Sequence, residues 1–346
     1  MNLNDFDYNL PESNIAQHPV IPRDACRLMI VDRKNQSITH TSFMNLGDFL
    51  NRGDLLVANN SRVIPSRIKG QTLESRNKIE ILLLKRLSDG LWKSLIKPGR
   101  KFKKGSKFSL FQGGVHLEFR VIEESENGSK IVCIHNEEYL TSIATLALPP
   151  YIKNISTHDS DYQTIFAKSD GSIAAPTAGL HFTEKLLLSL KKKGIERTNI
   201  TLHVGWDSFR PIRSNNIEEH IMHSENYTIS KGTLGKLYSV KKDKKRIVAV
   251  GTTTTRVLEH LGQYNDGRLI NIERISAESG KTNLFIRPGH EFKVVDVMIT
   301  NFHLPKSTLL LLVSAFANKD LILYAYNEAV KEGYRFYSFG DAMLIL

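Results

Sequence analysis

Three times in the second half of the chain, a run with the character of a buried strand breaks at a short polar elbow. NITLHV delivers His203 near its end, before GWDSFRPIR. RIVAVG runs through Thr252, Thr253, Thr254 and Thr255 into RVLEHL, and VVDVMIT turns through Asn301, His303 and Lys306 into STLLLLVSAFA. Short apolar runs alternating with helix-period segments predict an α/β fold. In the simplest such topology the elbows share the carboxyl edge of one sheet, where open α/β sheets bind their ligands. GDLLVANN, near Gly53, has the same buried-strand look, so the first 65 or so residues are expected to pair with the second half.

Between those halves the text changes. KIEILLLKRL, LWKSLIKPG, VHLEFRVIE and KIVCIH are short β-rich runs divided by Asp89-Gly90, Pro98-Gly99, Gly113-Gly114 and Asn127-Gly128. Regularly spaced short strands with such turns predict a small antiparallel barrel. The stiff Pro149-Pro150 pair closes it. At 346 residues the chain exceeds one ordinary core. The expected organisation is a discontinuous α/β catalytic domain, residues 1–66 plus 149–346, with a small antiparallel β-barrel domain inserted at 67–148.

A formal charge of +11 favours a polyanionic partner, and nucleic acid is the first to consider. Two basic runs, Lys97 to Lys107 and Lys241 to Arg246, strengthen that reading, although such runs are more often solvated turns. Cys26 and Cys133 are the only cysteines and form no C-x-x-C pair, which argues against a zinc ribbon, an iron–sulfur site or a disulfide scaffold. MNLNDFDYNLPES lacks the basic-then-apolar order of a signal peptide, so a cytoplasmic location is expected. The longest apolar run, Leu309 to Phe316, falls far short of a membrane span. His220, His223 and Glu225 suggest a metal set, but the run from His223 alternates like a strand and no third histidine stands at ligand spacing. No metal is expected.

A fourth stretch, SIAAPTAGLHFTEKLL, enters a helix. Thr183 suits its N-cap, Leu186, Leu187 and Leu190 its apolar stripe, Lys191 to Lys193 its C-terminal dipole, and Gly194 its end. Ala174 to Gly179 are small enough to let a ligand approach the backbone, with His181 just before the helix; a tightly packed turn with a satisfied histidine is the competing reading. Asp207 and Arg210 follow His203 within loop distance, and the threonine elbow could hold phosphate, ribose or carboxylate. Neither G-x-x-x-x-G-K-[ST] nor G-x-G-x-x-G is present.

These blocks, in this order, resemble the S-adenosylmethionine:tRNA ribosyltransferase-isomerase family of queuosine biosynthesis. The resemblance rests on FDYNLPESNIAQHP, RDACRLMIVDR, GDLLVANNSRVIPSRIKG, LPPYI, YQTIFAK, AAPTAGLHFT, TLHVG, HIMHSE, VGTTTTR, TNFHLPKSTLLLLVSAF and FGDAML, and spans essentially the whole chain. It implies transfer and rearrangement of the ribosyl part of S-adenosylmethionine onto the aminomethyl-deazaguanine at the tRNA wobble position. The products would be epoxyqueuosine in tRNA, adenine and methionine. It further implies no metal or prosthetic group, S-adenosylmethionine as co-substrate, tRNA as partner and no membrane; a monomer is expected.

Such chemistry needs a base to make an ylide beside the sulfonium and an acid for the departing adenine. Histidine suits both, so the expected catalytic set is His181, His203 and His303. Arg210 and Arg256 are expected to hold anionic groups, and Thr252 and Thr253 a ribose or carboxylate. Thr177, Lys306, Asn59, Asn60, Ser61 and Arg62 complete the candidate substrate-binding set; Arg62 reads equally as half of a structural pair. The family's HVG-x-G-T-F departs here to carry Asp207 in place of a glycine, His290 replaces a usual aromatic ring, and Thr254-Thr255 replaces a more apolar pair. Two alternatives stay open on sequence, a non-catalytic RNA-binding module and another S-adenosylmethionine-dependent RNA-modifying enzyme.

Overall fold

The computed structural model describes residues 1–73, 75–112, 114–125, 128–153, 159–205, 212, 214, 216–263 and 277–346. They fall into two compact units. One comprises Met1–Arg62, Pro150–Ser169 and Ala175–Leu346; the other comprises Val63–Pro149 with Asp170–Ala174. The second unit thus reaches a few residues beyond the expected 67–148 and takes in a short return segment that local patterning had given to the α/β domain.

The first unit opens with β1 (Arg27–Asp32), β2 (Ser37–Ser42) and β3 (Leu55–Asn59). The chain passes through β4 (Ser61–Val63) into β5 (Arg67–Thr72), β6 (Lys78–Ser88), β7 (Leu91–Lys97), β8 (Lys107–Gln112), β9 (Val115–Glu124), β10 (Lys130–His135) and the short α1 (Leu140–Ile143). After β11 (Ser169–Ser172) come α2 (Glu184–Lys192), β12 (Glu196–Leu202), β13 (Glu225–Ser230), α3 (Lys231–Lys242), β14 (Ile247–Val250) and α4 (Thr252–Gln263). β15 (Ala277–Thr282), β16 (Val297–Asn301), α5 (Thr308–Ala317), α6 (Lys319–Lys331) and β17 (Ala342–Ile345) complete the order.

The α/β unit is built on a nine-stranded sheet in the order β15-β13-β12-β3-β14-β16-β17-β1-β2. Its four middle strands, β12, β3, β14 and β16, are mutually parallel. β17 is antiparallel to β16 and parallel to β1, which ties the chain's last strand to its first. Every residue of β3, β14, β16 and β17 is buried, the signature of strands covered on both faces. The expected pairing of GDLLVANN with the second half holds, since Leu55 to Asn59 lie beside Glu196 to Ile200.

Local chemistry explains the helices. Thr183 accepts the Leu186 N–H and caps α2, whose Leu186, Leu187 and Leu190 are buried. Gly194 follows at φ +82°, a left-handed value that suits glycine. Ser307 caps α5 by accepting the Leu310 N–H at 3.2 Å. No helix among the described residues is long and apolar enough to cross a membrane.

The second unit is a closed six-stranded barrel in the order β10-β7-β6-β5-β8-β9, with every paired strand antiparallel. Alternate residues of β7 and β9 point inward, filling it with Trp92, Ile96, Leu117, Phe119 and Val121 beside Ile68, Ile81 and Phe108. Glu137 pins one end by accepting bonds from Arg86, the Gly90 N–H and the Trp92 indole. The inserted barrel predicted from turn spacing is present.

Candidate active site

Because β12, β3, β14 and β16 are parallel neighbours, their carboxyl ends lie side by side. That edge brings together Asn59 at the end of β3 with Asn60 just after it, His203 after β12, Thr252 and Thr253 after β14, and Asn301 at the end of β16. A single 3-10 turn, Thr177–His181, joins them, because the His181 ring meets the Asn301 amide.

Asn59 splices two strands where their backbones part. Its amide nitrogen donates to the Leu202 carbonyl at 2.8 Å, and its oxygen accepts the N–H groups of Leu202 and Ser61, both at 3.0 Å. Asn60 accepts the Thr201 hydroxyl at 2.7 Å. These bonds use most of the capacity of Asn59, so its work is to fix the loop origin. Ser61 is fully buried and its hydroxyl finds no partner among the described residues, whereas exposed Arg62 donates to the Ala167 carbonyl at 3.1 Å.

His181 is 4 % exposed, and both ring nitrogens are engaged. Asn301 donates one amide hydrogen to the Tyr337 carbonyl and accepts the Thr177 hydroxyl, which sets its orientation. Its second amide hydrogen then points to His181 Nε2 at 3.0 Å, so Nε2 accepts and Nδ1 carries the proton toward Cys26 Sγ at 3.2 Å. Burial first, then the positive charge of Arg335, pushes the His181 pKa down to about 3. The imidazole is neutral at pH 7 and aligned, with Phe43 packed 5.2 Å from its centre. A small pocket lined by Pro19, Arg23, Cys26, His181, Ser338 and Phe339 reaches this ring.

The small residues before His181 serve packing. A Cβ on Gly179 would meet Thr164 at 3.0 Å and Phe166 at 3.2 Å, and Ala178 already stands 3.4 Å from where a Cβ on Gly251 would lie. The space expected for a ligand beside Ala178 and Gly179 is therefore filled by the protein itself. Gly251, at φ +88°, gives the tight turn that starts α4. Thr254 and Thr255 bond back to the Val250 and Gly251 carbonyls. Thr252 is buried, and the hydroxyl of half-buried Thr253 has no partner among the described residues. Thr252 and Thr253 thus remain fit for a substrate hydroxyl or carboxylate, beside the open N–H groups of a helix start.

Arg256 changes role. It is 3 % exposed, pairs with the buried Glu225 carboxylate and donates to the Leu284 carbonyl at 3.1 Å. Its guanidinium is consumed inside the protein and does not present an open anion site. Glu225 also lies 3.5 Å from His223 Nε2 and accepts the Gly205 N–H at 3.3 Å. Burial raises its pKa, but His223, Arg256 and the Gly205 N–H outweigh that and hold it at about 2. The pair therefore anchors the segment that carries His203. His203 itself is half-buried, its N–H bonded to the Asn226 carbonyl at 3.2 Å.

His303 turns into an aromatic cluster. Its ring meets the Thr300 hydroxyl at 2.9 Å, its N–H donates to Tyr326, and its carbonyl accepts the Tyr8 hydroxyl. Burial depresses its pKa to about 3. Lys306 pairs with Asp7 at 2.8 Å near the surface. Arg210 and Asp207 lie outside the described residues. His290 packs edge-on to Phe292, with ring centres 4.8 Å apart, so the departure from an aromatic ring keeps an aromatic contact. Among the described residues no three histidines, cysteines or carboxylates gather as a metal set. Glu225, read from sequence only as a rejected metal ligand, and Asn301, read only as part of an elbow, prove to be the residues that orient the edge.

A sequence model described as queuosine biosynthesis protein matches residues 3–345. The S-adenosylmethionine:tRNA ribosyltransferase-isomerase of Thermosipho melanesiensis is 49 % identical over 346 residues, covering 100 % of both chains. That of Clostridium kluyveri is 46 % identical over 349 residues, again with 100 % of each chain covered. The crystal structure of the S-adenosylmethionine tRNA ribosyltransferase from Thermotoga maritima aligns with a TM-score of 0.57 and 41 % identity, over 99 % of this chain and 100 % of that one. With agreement over its full length in sequence and structure, the chain belongs to the queuosine biosynthesis family of S-adenosylmethionine:tRNA ribosyltransferase-isomerases.

Proposed function

We propose that this chain moves the ribosyl group of S-adenosylmethionine onto the aminomethyl-deazaguanine at the tRNA wobble position and rearranges it, releasing adenine and methionine. The observation that carries the reading is the full-length match at 46–49 % identity to enzymes bearing that activity in their names. The carboxyl edge of the sheet is the reaction site. Thr252 and Thr253, at the start of α4, hold the ribose hydroxyls or the methionine carboxylate of the donor. Thr177 and Asn301 keep His181 aligned as a neutral imidazole.

Among the three histidines, His203 is the first choice for proton transfer. His181 and His303 are buried with pKa values near 3, too low for an efficient base at neutral pH. His203 stands half-buried on the edge itself. His181 is then a positioning group, and His303 a residue of the core beneath. The chain works as a monomer in the cytoplasm, without metal or prosthetic group.

The test is a product assay with S-adenosylmethionine and tRNA carrying the precursor base. Free adenine and methionine in equal amounts support the reading. S-adenosylhomocysteine would make the protein a methyltransferase, and no donor consumption would leave an RNA-binding module.

A further inference from the structure

The barrel carries a built surface on its outer wall. β5, β6 and β8 place Phe111, Gln71 and Lys78 directly opposite one another, since Gln71 pairs with both Phe111 and Lys78. Two residues along, Lys69, Glu80 and Lys97 form a second row across β5, β6 and β7. Residues at this spacing share a face, and the neighbours Ile68, Ile79, Ile81 and Leu110 point into the core instead. The rows line an open groove of about 750 Å³.

Its chemistry is specific. Phe111 is 55 % exposed although large aromatic rings usually seek cover, and Leu73, just beyond the end of β5, is 52 % exposed. Glu80 is already neutralised by Arg67, at 2.6 Å. Lys69, Lys78 and Lys97 form no ion pair among the described residues. Among the described residues four cations, counting Arg67, thus face one carboxylate around an exposed ring and an amide side chain. The basic run divides here, for Lys103 turns toward Glu124 on β9 while Lys97 joins the groove. Single-stranded nucleic acid is recognised by this combination, cations for phosphates and an aromatic platform for an unstacked base, on the outer face of small barrels.

We propose that this face of the barrel binds an unpaired segment of the tRNA substrate, with one base stacked on Phe111, phosphates on Lys69, Lys78 and Lys97, and Gln71 bonding a base edge. The inference rests on the functional reading above.

The test measures binding of tRNA to the full-length protein by fluorescence anisotropy from 50 to 300 mM salt, beside calorimetric binding of S-adenosylmethionine. Phe111→Ala should weaken tRNA binding on the order of tenfold with an unchanged salt slope. Phe111→Tyr, which keeps a stacking ring, should bind like wild type. Replacing Lys69, Lys78 and Lys97 together by Ala should flatten the log Kd against log salt slope by about two to three, while donor affinity stays constant and shows the fold is intact. Wild-type tRNA affinity and slope in both the Phe111→Ala and triple-lysine variants would overturn the proposal. So would equal losses in Phe111→Ala and Phe111→Tyr. If wild type itself neither binds tRNA nor releases adenine, the functional reading fails; if wild type turns over and the variants bind unchanged, only the groove fails.

Discussion

The sheet edge and the barrel wall use polar groups in opposite ways. At the edge several polar side chains are buried and bonded within the protein. Asn59 splices strands, Asn301 orients His181, and Arg256 spends its charge on Glu225. On the barrel wall Lys69, Lys78 and Lys97 stand outward with no ion pair among the described residues, and the Phe111 ring is left in the open. On the functions proposed for them, these are two kinds of site: one whose groups are held rigid to act on a small reactive molecule, and one whose groups wait for a large polyanion. Pre-organisation suits chemistry, because donors fixed in advance need no rearrangement as charge develops. Exposure suits binding of a flexible polymer, because lysine stems can follow its phosphates.

Breaking the edge should cost far more stability than breaking the wall. Glu225→Ala strips the partner from a buried guanidinium and should lower stability by about 3–5 kcal/mol, read by urea unfolding. A loss under 1 kcal/mol would show the pair is not the anchor described. Asn59→Ala leaves the Leu202 backbone groups unmet and should cost roughly 1–3 kcal/mol by the same assay. Lys78→Ala on the barrel wall should change stability by no more than about 0.5 kcal/mol, since its exposed side chain forms no ion pair among the described residues. A large loss there would dissolve the contrast.

Acid sensitivity sharpens it further. His181 and His303 have folded pKa values depressed to about 3, below the ordinary value near 6.5. The unfolded chain binds more protons between those values, so stability is full above pH 6.5 and falls as pH drops toward 3. Glu225, depressed to about 2, adds a loss that begins as pH falls into the ordinary carboxylate range and continues toward 2. His303→Gln should reduce the slope of stability against pH between 6.5 and 3 by about 1.4 kcal/mol per unit, seen in urea midpoints across that range. An unchanged slope would mean that His303 is not held neutral by burial.

Much of this was legible in local sequence. Thr183, Leu186, Leu187, Leu190 and Gly194 announced α2, and the turn-spaced runs from Lys78 to His135 announced the barrel. Local signals suffice where one segment's own hydrogen bonds and apolar face decide its structure. They fail where distant residues meet. Nothing near Arg256 says that Glu225 will neutralise it, nothing near His181 points to Cys26, and no period reveals that β1 lies beside β17. For the same reason Ala178 and Gly179 read as room for a ligand, because Thr164 and Gly251, which press against them, come from elsewhere in the chain. The candidate groups could be collected from sequence, but their division into anchors and open donors needed the tertiary partners.

The most direct test compares adenine release by wild type with that by His203→Ala under saturating S-adenosylmethionine and precursor tRNA, after both proteins are shown to be folded. Loss of a proton-transferring group should slow release by about 100-fold or more, with donor affinity little changed. A His203→Ala enzyme within a few fold of wild type would contradict the assignment of proton transfer to this half-buried position on the edge.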